Sequence, residues 1–137
     1  MRILLDTNVL LDYFQRREGF TTSERILQAC AENTISGFVA AHSFPIMFYI
    51  MRKFYSDEER REILTNIISL LTVAEISHPL IASALSRNDF HDFEDCLQDE
   101  CAARVDADYI VTSNIKDFER SKVKAILPEE FLHRLSI

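Results

Sequence analysis

Three short stretches carry oxygen-bearing side chains that could work together. RILLDTN at 2–8 ends in Asp6, Thr7 and Asn8; the segment from Asn88 to Glu100 holds Asp89, Asp92, Glu94, Asp95, Asp99 and Glu100; TSNIKDF at 112–118 brings Thr112, Asn114 and Asp117. Carboxylates suit hard cations such as Mg2+, which take one or two of them and complete the shell with water and substrate phosphate. A cation held this way acidifies water and stabilises charge on a phosphodiester under attack. Asp6 and Asp95 alone would suffice for one ion. An even spread of 22 acids over 137 residues would place about two in any thirteen, and the middle stretch has six with no lysine or arginine among them. Two readings compete for that excess. In one, Asp92 caps a helix and the other acids favour its first turns through the helix dipole. In the other, some of them meet Asp6 across a sheet edge. TSNIKDF has the same double reading, since Thr112, Ser113 and Asn114 suit a turn and Asp117 a helix cap.

The elements that must position these groups follow from periodicity. Arg2–Leu5 reads as a short buried strand, and Val9–Phe14 as a helix opening after Asp6 or Thr7. Ile26, Leu27, Cys30 and Ala31 predict a helix over 21–32, capped by Thr22 or Ser23, and Gly37 leads into the strand FVAA. An apolar helix at 44–54 follows. Ser56 and Glu59 form a capping box for the next, which should bury Ile63, Leu64, Ile67 and Ile68. A strand is expected at 71–76, a helix opened by Pro79 at 79–85, and a turn at NDFH. Phe93, Leu97, Cys101 and Val105 mark a helix over 92–105; DYIVT is a buried strand, SKVKAIL a weaker one, PEEFLHRL a closing helix. Alternating strands and helices imply one α/β domain over 1–137, with a mostly parallel sheet covered on both faces. Ligands of such sheets sit beyond the carboxyl ends of the strands, which puts Asp6 at a site, near solvent and outside the packed centre.

Composition narrows the function classes. Two glycines, Gly19 and Gly37, exclude a Walker loop and a GxGxxG fingerprint. Three cysteines without a CxxC pair argue against a disulfide framework and a thiolate zinc site. Together with the lack of a secretory signal or an apolar run long enough for a bilayer, they lead us to expect a soluble protein of the reducing cytoplasm, with no membrane partner. A formal charge of −7 repels polyanions at long range, so a nucleic acid would need a local basic patch or bound cations. Arg52, Lys53, Arg60, Arg61, Lys116, Lys122 and Lys124 are candidates for such a rim, and more simply a solvated face. Phe44, Phe48, Tyr49 and Phe54 have the spacing of a core or dimer face rather than of base-stacking platforms. His42 and Ser43 are read as structural.

DTNVLLD after an N-terminal strand, DFEDCLQ opening a late helix and IVTSNIKDF after the following strand together resemble PIN-domain proteins, particularly the small bacterial ones related to VapC-type toxin ribonucleases. The likeness spans nearly the whole chain. It implies a three-layer α/β/α sandwich and a metal-dependent ribonuclease, the toxin of a toxin–antitoxin pair, using Mg2+ or Mn2+. Asp6 matches the first family acid and Asp95 the third. The fourth falls within TSNIKDF, where Asn114 stands at a place often held by aspartate and Asp117 is the nearby acid. The expected catalytic and metal-binding set is therefore Asp6, Asp95 and Asp117, supported by Glu94, Asp92, Asn114, Thr112 and Asn8. RNA is the expected substrate; a cognate antitoxin and a second copy of the chain are the expected partners.

The second family acid belongs in the helix that here reads HSFPIMFYIMRK. Its place falls near Ile46, and no carboxylate occurs between Glu32 and Asp57. Losing a ligand weakens a metal site or restricts it to one ion, unless Glu94 or Asp92 makes up the charge. That departure motivates a second reading: a PIN module that binds RNA or a protein without cutting. A third, an aspartyl phosphotransferase or receiver-type domain, lacks the acidic pair such a site wants beside Asp6.

Overall fold

A computed structural model describes residues 1–136 of the chain. The elements run β1 (Arg2–Leu5), α1 (Thr7–Phe14), α2 (Phe20–Ala31), β2 (Ser36–Ala40), α3 (Ser43–Ile50), α4 (Asp57–Ile67), β3 (Thr72–Ala74), α5 (His78–Leu85), α6 (Phe93–Arg104), β4 (Tyr109–Val111), β5 (Ala125–Ile126) and α7 (Pro128–Leu135). The strands pair in the order β3-β2-β1-β4-β5, and every pairing is parallel.

Alternation along each strand sends side chains to opposite faces, and the core accordingly divides in two. Ile3, Leu5, Val39, Val111 and Ile126 join α1, α2, α3, α4 and α7 on one face. Leu4, Phe38, Ala40, Ala74 and Ile110 join α5 and α6 on the other. The result is the expected three-layer α/β/α sandwich, with an all-parallel sheet. All three cysteines are free and buried. Among the described residues no helix is long and apolar enough to cross a membrane.

Several boundaries depart from expectation. The second helix begins at Phe20 after Gly19, so Thr22 and Ser23 lie inside it and cap nothing; Ser23 is buried instead. The strand β2 starts at Ser36, two residues before FVAA, and includes Gly37. A Cβ on Gly37 would stand 2.6 Å from both Cys30 Sγ and Leu71 Cδ2, so the glycine permits close packing of helix on sheet. The apolar helix at 44–54 is α3 followed by a 3-10 turn, Met51–Lys53. The capping box forms as expected, Ser56 Oγ accepting from the Glu59 N–H and Glu59 Oε1 from the Ser56 N–H. Ile68 is 53% exposed because α4 ends at Ile67 and the backbone turns away. Pro79 stands in the first turn of α5 as expected, and Ser77 caps it, accepting from the Leu80 N–H.

In this strand order the chain leaves β1 toward β2 on one side and returns to β4 on the other. The crevice beyond the carboxyl ends of β1 and β4 is the topological switch point, where open α/β sheets place their ligands.

Candidate active site

Asp6 stands in that crevice, in extended conformation as the N-cap of α1, its N–H donating to Val111 O at 3.0 Å. The side chain is 5% exposed, so it is buried rather than near solvent as the sequence suggested. Its carboxylate needs donors, and the fold supplies two. The Thr112 hydroxyl, at the end of β4, donates to Oδ2 at 2.8 Å, and Gln98 Nε2 on α6 donates to Oδ1 at 3.2 Å. Burial raises the Asp6 carboxyl above its ordinary value; hydrogen bonds from Thr112 and the Thr7 backbone oppose this, and the charges of Asp117 and Asp92 reinforce it.

A cavity of about 250 Å3 opens over this carboxylate. Asp92, Glu94 and Asp95 line it from the start of α6, Asn114 and Asp117 from the segment after β4, and Asn8 from α1. Thr112 is fully buried behind Asp6 and also accepts from the Asn114 N–H at 3.0 Å, tying the loop to the strand end. All eight sequence-predicted residues therefore meet in one place. Asp95 registers the crowding: burial, then the charges of Asp92, Asp6, Asp117 and Glu94, push its carboxyl up to about 7. Asp117 sits within a 3-10 turn, Ile115–Phe118, and does not cap it.

The acid-rich stretch satisfies both of its readings and a third besides. Asp92 is the N-cap of α6, Oδ1 accepting from the Asp95 N–H at 3.1 Å, and it faces the cavity as well. Asp89, Asp99 and Glu100 turn the other way. Arg87 contacts all three, at 3.0 Å from Asp89 Oδ2 and 2.8 Å from both Asp99 Oδ2 and Glu100 Oε2; Lys122 Nζ adds 2.7 Å to Glu100. Asp99 also accepts from the backbone N–H groups of Lys122 and Val123 at 2.9 and 3.1 Å. Burial would raise the Glu100 carboxyl, but hydrogen bonds from Lys122, Ser83 and Arg87 hold it below the usual carboxylate range. The excess of acids thus serves a site at the start of α6 and a structural ion network one turn further along it.

Four further groups stand here, of which His42 and Ser43 read as structural in the sequence. Thr7 Oγ1 and Ser43 Oγ, both buried, lie 2.8 Å apart, and Gln98 Nε2 donates to Thr7 at 3.2 Å and reaches Ser43 at 3.5 Å. His42 lines the cavity, Nε2 3.0 Å from the Glu94 carbonyl oxygen, and burial lowers its pKa. Gln98 did leave a signal: it follows Asp95 by three positions, which on a helix is the same face.

Ile46 and Ile50 form the apolar part of the wall, so the place of the missing family acid does face the cavity and holds no carboxylate. Among the described residues no three His, Cys, Asp or Glu side chains converge closely enough to cage a metal by themselves. A hard divalent cation does not require such a cage, because it keeps several waters. The donor set fits it. The lining is carboxylate and amide oxygen with no lysine or arginine, and the carbonyl oxygen of Gln98 is buried without a hydrogen-bond partner.

The candidates for a basic rim lie outside the lining of this cavity, and Arg52 and Lys53 line a hollow that shares Ile50 with it. Arg60 and Arg61 stack on Phe48, Arg52 on Tyr49, and Lys122 is engaged with Glu100. Lys116 lines a smaller adjoining hollow whose wall shares Asp92, Asp95 and Asp117 with the acid cavity. The aromatic group also divides, with Phe44 and Phe48 packed against the core and Tyr49 and Phe54 exposed. A larger, open groove between α3 and α4 has apolar walls of Phe44, Phe48, Leu64 and Ile68 and contains no acid.

Comparison with known proteins agrees with this fold. No curated protein sequence matches the chain. Among solved structures, the chain is similar to the crystal structure of VapBC2 from Rickettsia felis bound to a DNA fragment from their promoter, with 18% identity over 93% of this chain and 98% of that one and a TM-score of 0.68. It is also similar to VapBC-1 from nontypeable Haemophilus influenzae, with 13% identity, 94% and 99% coverage and a TM-score of 0.65. At such identities the likeness shows the fold. The family model described as PIN domain matches residues 2–116, which takes in β1, the whole of α6 and the start of the turn after β4. By that match, the chain belongs to the PIN-domain family.

Proposed function

We propose that this protein is a divalent-metal-dependent endoribonuclease, acting as the toxin of a toxin–antitoxin pair with a cognate antitoxin protein as partner. Family membership and the fold shared with VapBC structures support a nuclease at the general level. The observation that carries the finer reading is the cavity at the β1/β4 switch point, where Asp6, Asp95 and Asp117 gather with Asp92 and Glu94 in a lining without lysine or arginine.

Each residue has a task that its surroundings define. Asp6 is held by the Thr112 hydroxyl and the Gln98 amide, so one carboxylate keeps a fixed position. Asp95, with its carboxyl pushed up to about 7, gives up its proton near neutral pH when positive charge enters the cavity. Asp117 and Asn114 close the opposite side, and Asp92 and Glu94 add negative charge at the mouth. Mg2+ or Mn2+, when bound, acidifies water and offsets the charge that builds on a phosphodiester. Bound among these carboxylates, it would offset the negative potential that repels an RNA backbone.

Cleavage of RNA by the purified chain in Mn2+, measured beside Asp6→Asn and Asp95→Asn, tests this reading. Both variants should lose roughly 100-fold or more in rate; equal activity in all three would reject it. A second reading, an RNA- or protein-binding module without cleavage, has its own observation: Ile46 occupies the wall where the family's second acid is expected. It predicts no cleavage and no measurable Mn2+ site even at millimolar concentration.

A further inference from the structure

Three buried side-chain polar atoms lack a hydrogen-bond partner among the described residues: Gln15 Nε2, His42 Nδ1 and Gln98 Oε1. Two of them belong to residues that line the acid cavity. Their chemical sense is fixed by what their other ends touch. One end of the Gln98 amide faces Asp6 Oδ1 at 3.2 Å. A carboxylate oxygen accepts, so the amino group must stand there, and the carbonyl oxygen is left at the other end. His42 Nε2 faces the Glu94 carbonyl oxygen, which also accepts, so Nε2 carries the hydrogen and Nδ1 presents a lone pair.

Both orphans are therefore acceptors, beside carboxylates that are acceptors too. Gln98 is 2% exposed, so bulk water does not satisfy its oxygen. A buried acceptor without a donor destabilises the fold, and native proteins keep one where a ligand completes it. What completes an oxygen among carboxylates is a hard cation, which takes amide carbonyl oxygens as well as carboxylates into its shell.

We propose that Gln98 is itself a ligand of the cation: its amino group braces Asp6 while Oε1 coordinates the ion, supplying the oxygen that Ile46 cannot. This rests on the metal-dependent reading above. It makes Gln98 more than a brace, and it explains how a site short of one family acid still fills a coordination shell. The carbonyl is neutral, so the site gains a ligand without adding to a cluster that already drives Asp95 toward protonation.

Calorimetric titration with Mn2+ of the wild type, Gln98→Met and Gln98→Glu, with melting curves of each, tests the inference. Gln98→Met, similar in length but without the amide, should bind Mn2+ 10–100-fold more weakly. Gln98→Glu keeps an oxygen for the ion but places a carboxylate against Asp6. It should melt below the wild type without metal, bind Mn2+ at least as tightly, and show the larger Mn2+-induced rise in Tm. A residue that only braced Asp6 would lose affinity in both variants, since both lose the amino group. Equal weakening in the two variants, or unchanged affinity in Gln98→Met, overturns the inference and leaves the metal site standing. Failure of the wild type to bind Mn2+ overturns the site and the inference together.

Discussion

At the scale of the residue, the account turns on carboxylates held together without a counter-charge. Asp95 lies at about 7, above its ordinary 3.8, so the folded chain prefers this group protonated. Its contribution to stability is therefore full below the ordinary value and is lost as pH rises through about 7. Metal-free protein should melt lower at pH 8 than at pH 5 on this account, and Asp95→Asn, which stays neutral, should melt above the wild type at pH 8 and near it at pH 4. Melting curves at the three pH values check both the direction and the window. Mn2+ affinity should rise through the same range, because the ion competes with the proton. Asp6 and Asp95 were legible because their motifs follow a strand and open a helix. Gln98 and His42 were left out of the expected set, because nothing in composition shows which buried oxygen or nitrogen ends without a partner. The burial of Asp6 was missed for a related reason: its donors, Thr112 and Gln98, come from segments about a hundred residues away.

At the scale of the element, α6 does two jobs with successive turns of one acidic helix. Its first turn presents Asp92, Glu94 and Asp95 to the cavity, and its middle fixes the helix through Asp99 and Glu100. Arg87 holds that second set from a side chain that is only 10% exposed. Arg87→Met leaves Asp99 fully buried without its cation and should cost about 3–5 kcal/mol, read by urea denaturation of the metal-free protein. Lys122→Met, on a side chain that is half exposed, should cost far less. The sequence makes the strands, the capping box at Ser56 and the order of elements readable, since each depends on neighbours within a few positions. It shows the excess of acids in α6 but not their division between two tasks. Arg87 stands just outside the acid stretch and Lys122 enters from beyond β4, so pairing them needs the tertiary fold. The start of α2 at Phe20 was hidden similarly, because Ser23 is taken into the core instead of serving as a cap.

At the scale of the whole molecule, a chain of net charge −7 concentrates acids at the one crevice its strand order creates. Such a surface repels RNA at long range, and Arg52 and Arg60 stack on Tyr49 and Phe48 and do not enter the lining of the cavity. RNA binding should therefore depend on divalent cations more steeply than a basic RNA-binding domain does: weak in chelator at low salt, and restored by Mn2+ in the wild type but not in Asp6→Asn. Filter binding with a non-cleavable RNA reads this. The central claim is spatial, that β1 and α6 bring Asp6 and Asp95 to a shared cation. A crystal grown in Mn2+, with anomalous scattering recorded, addresses it most directly. The account predicts a manganese peak in the cavity within about 2.0–2.6 Å of carboxylate oxygens from both residues. A cavity holding no manganese, or an ion bound by one of the two while the other points elsewhere, would contradict it.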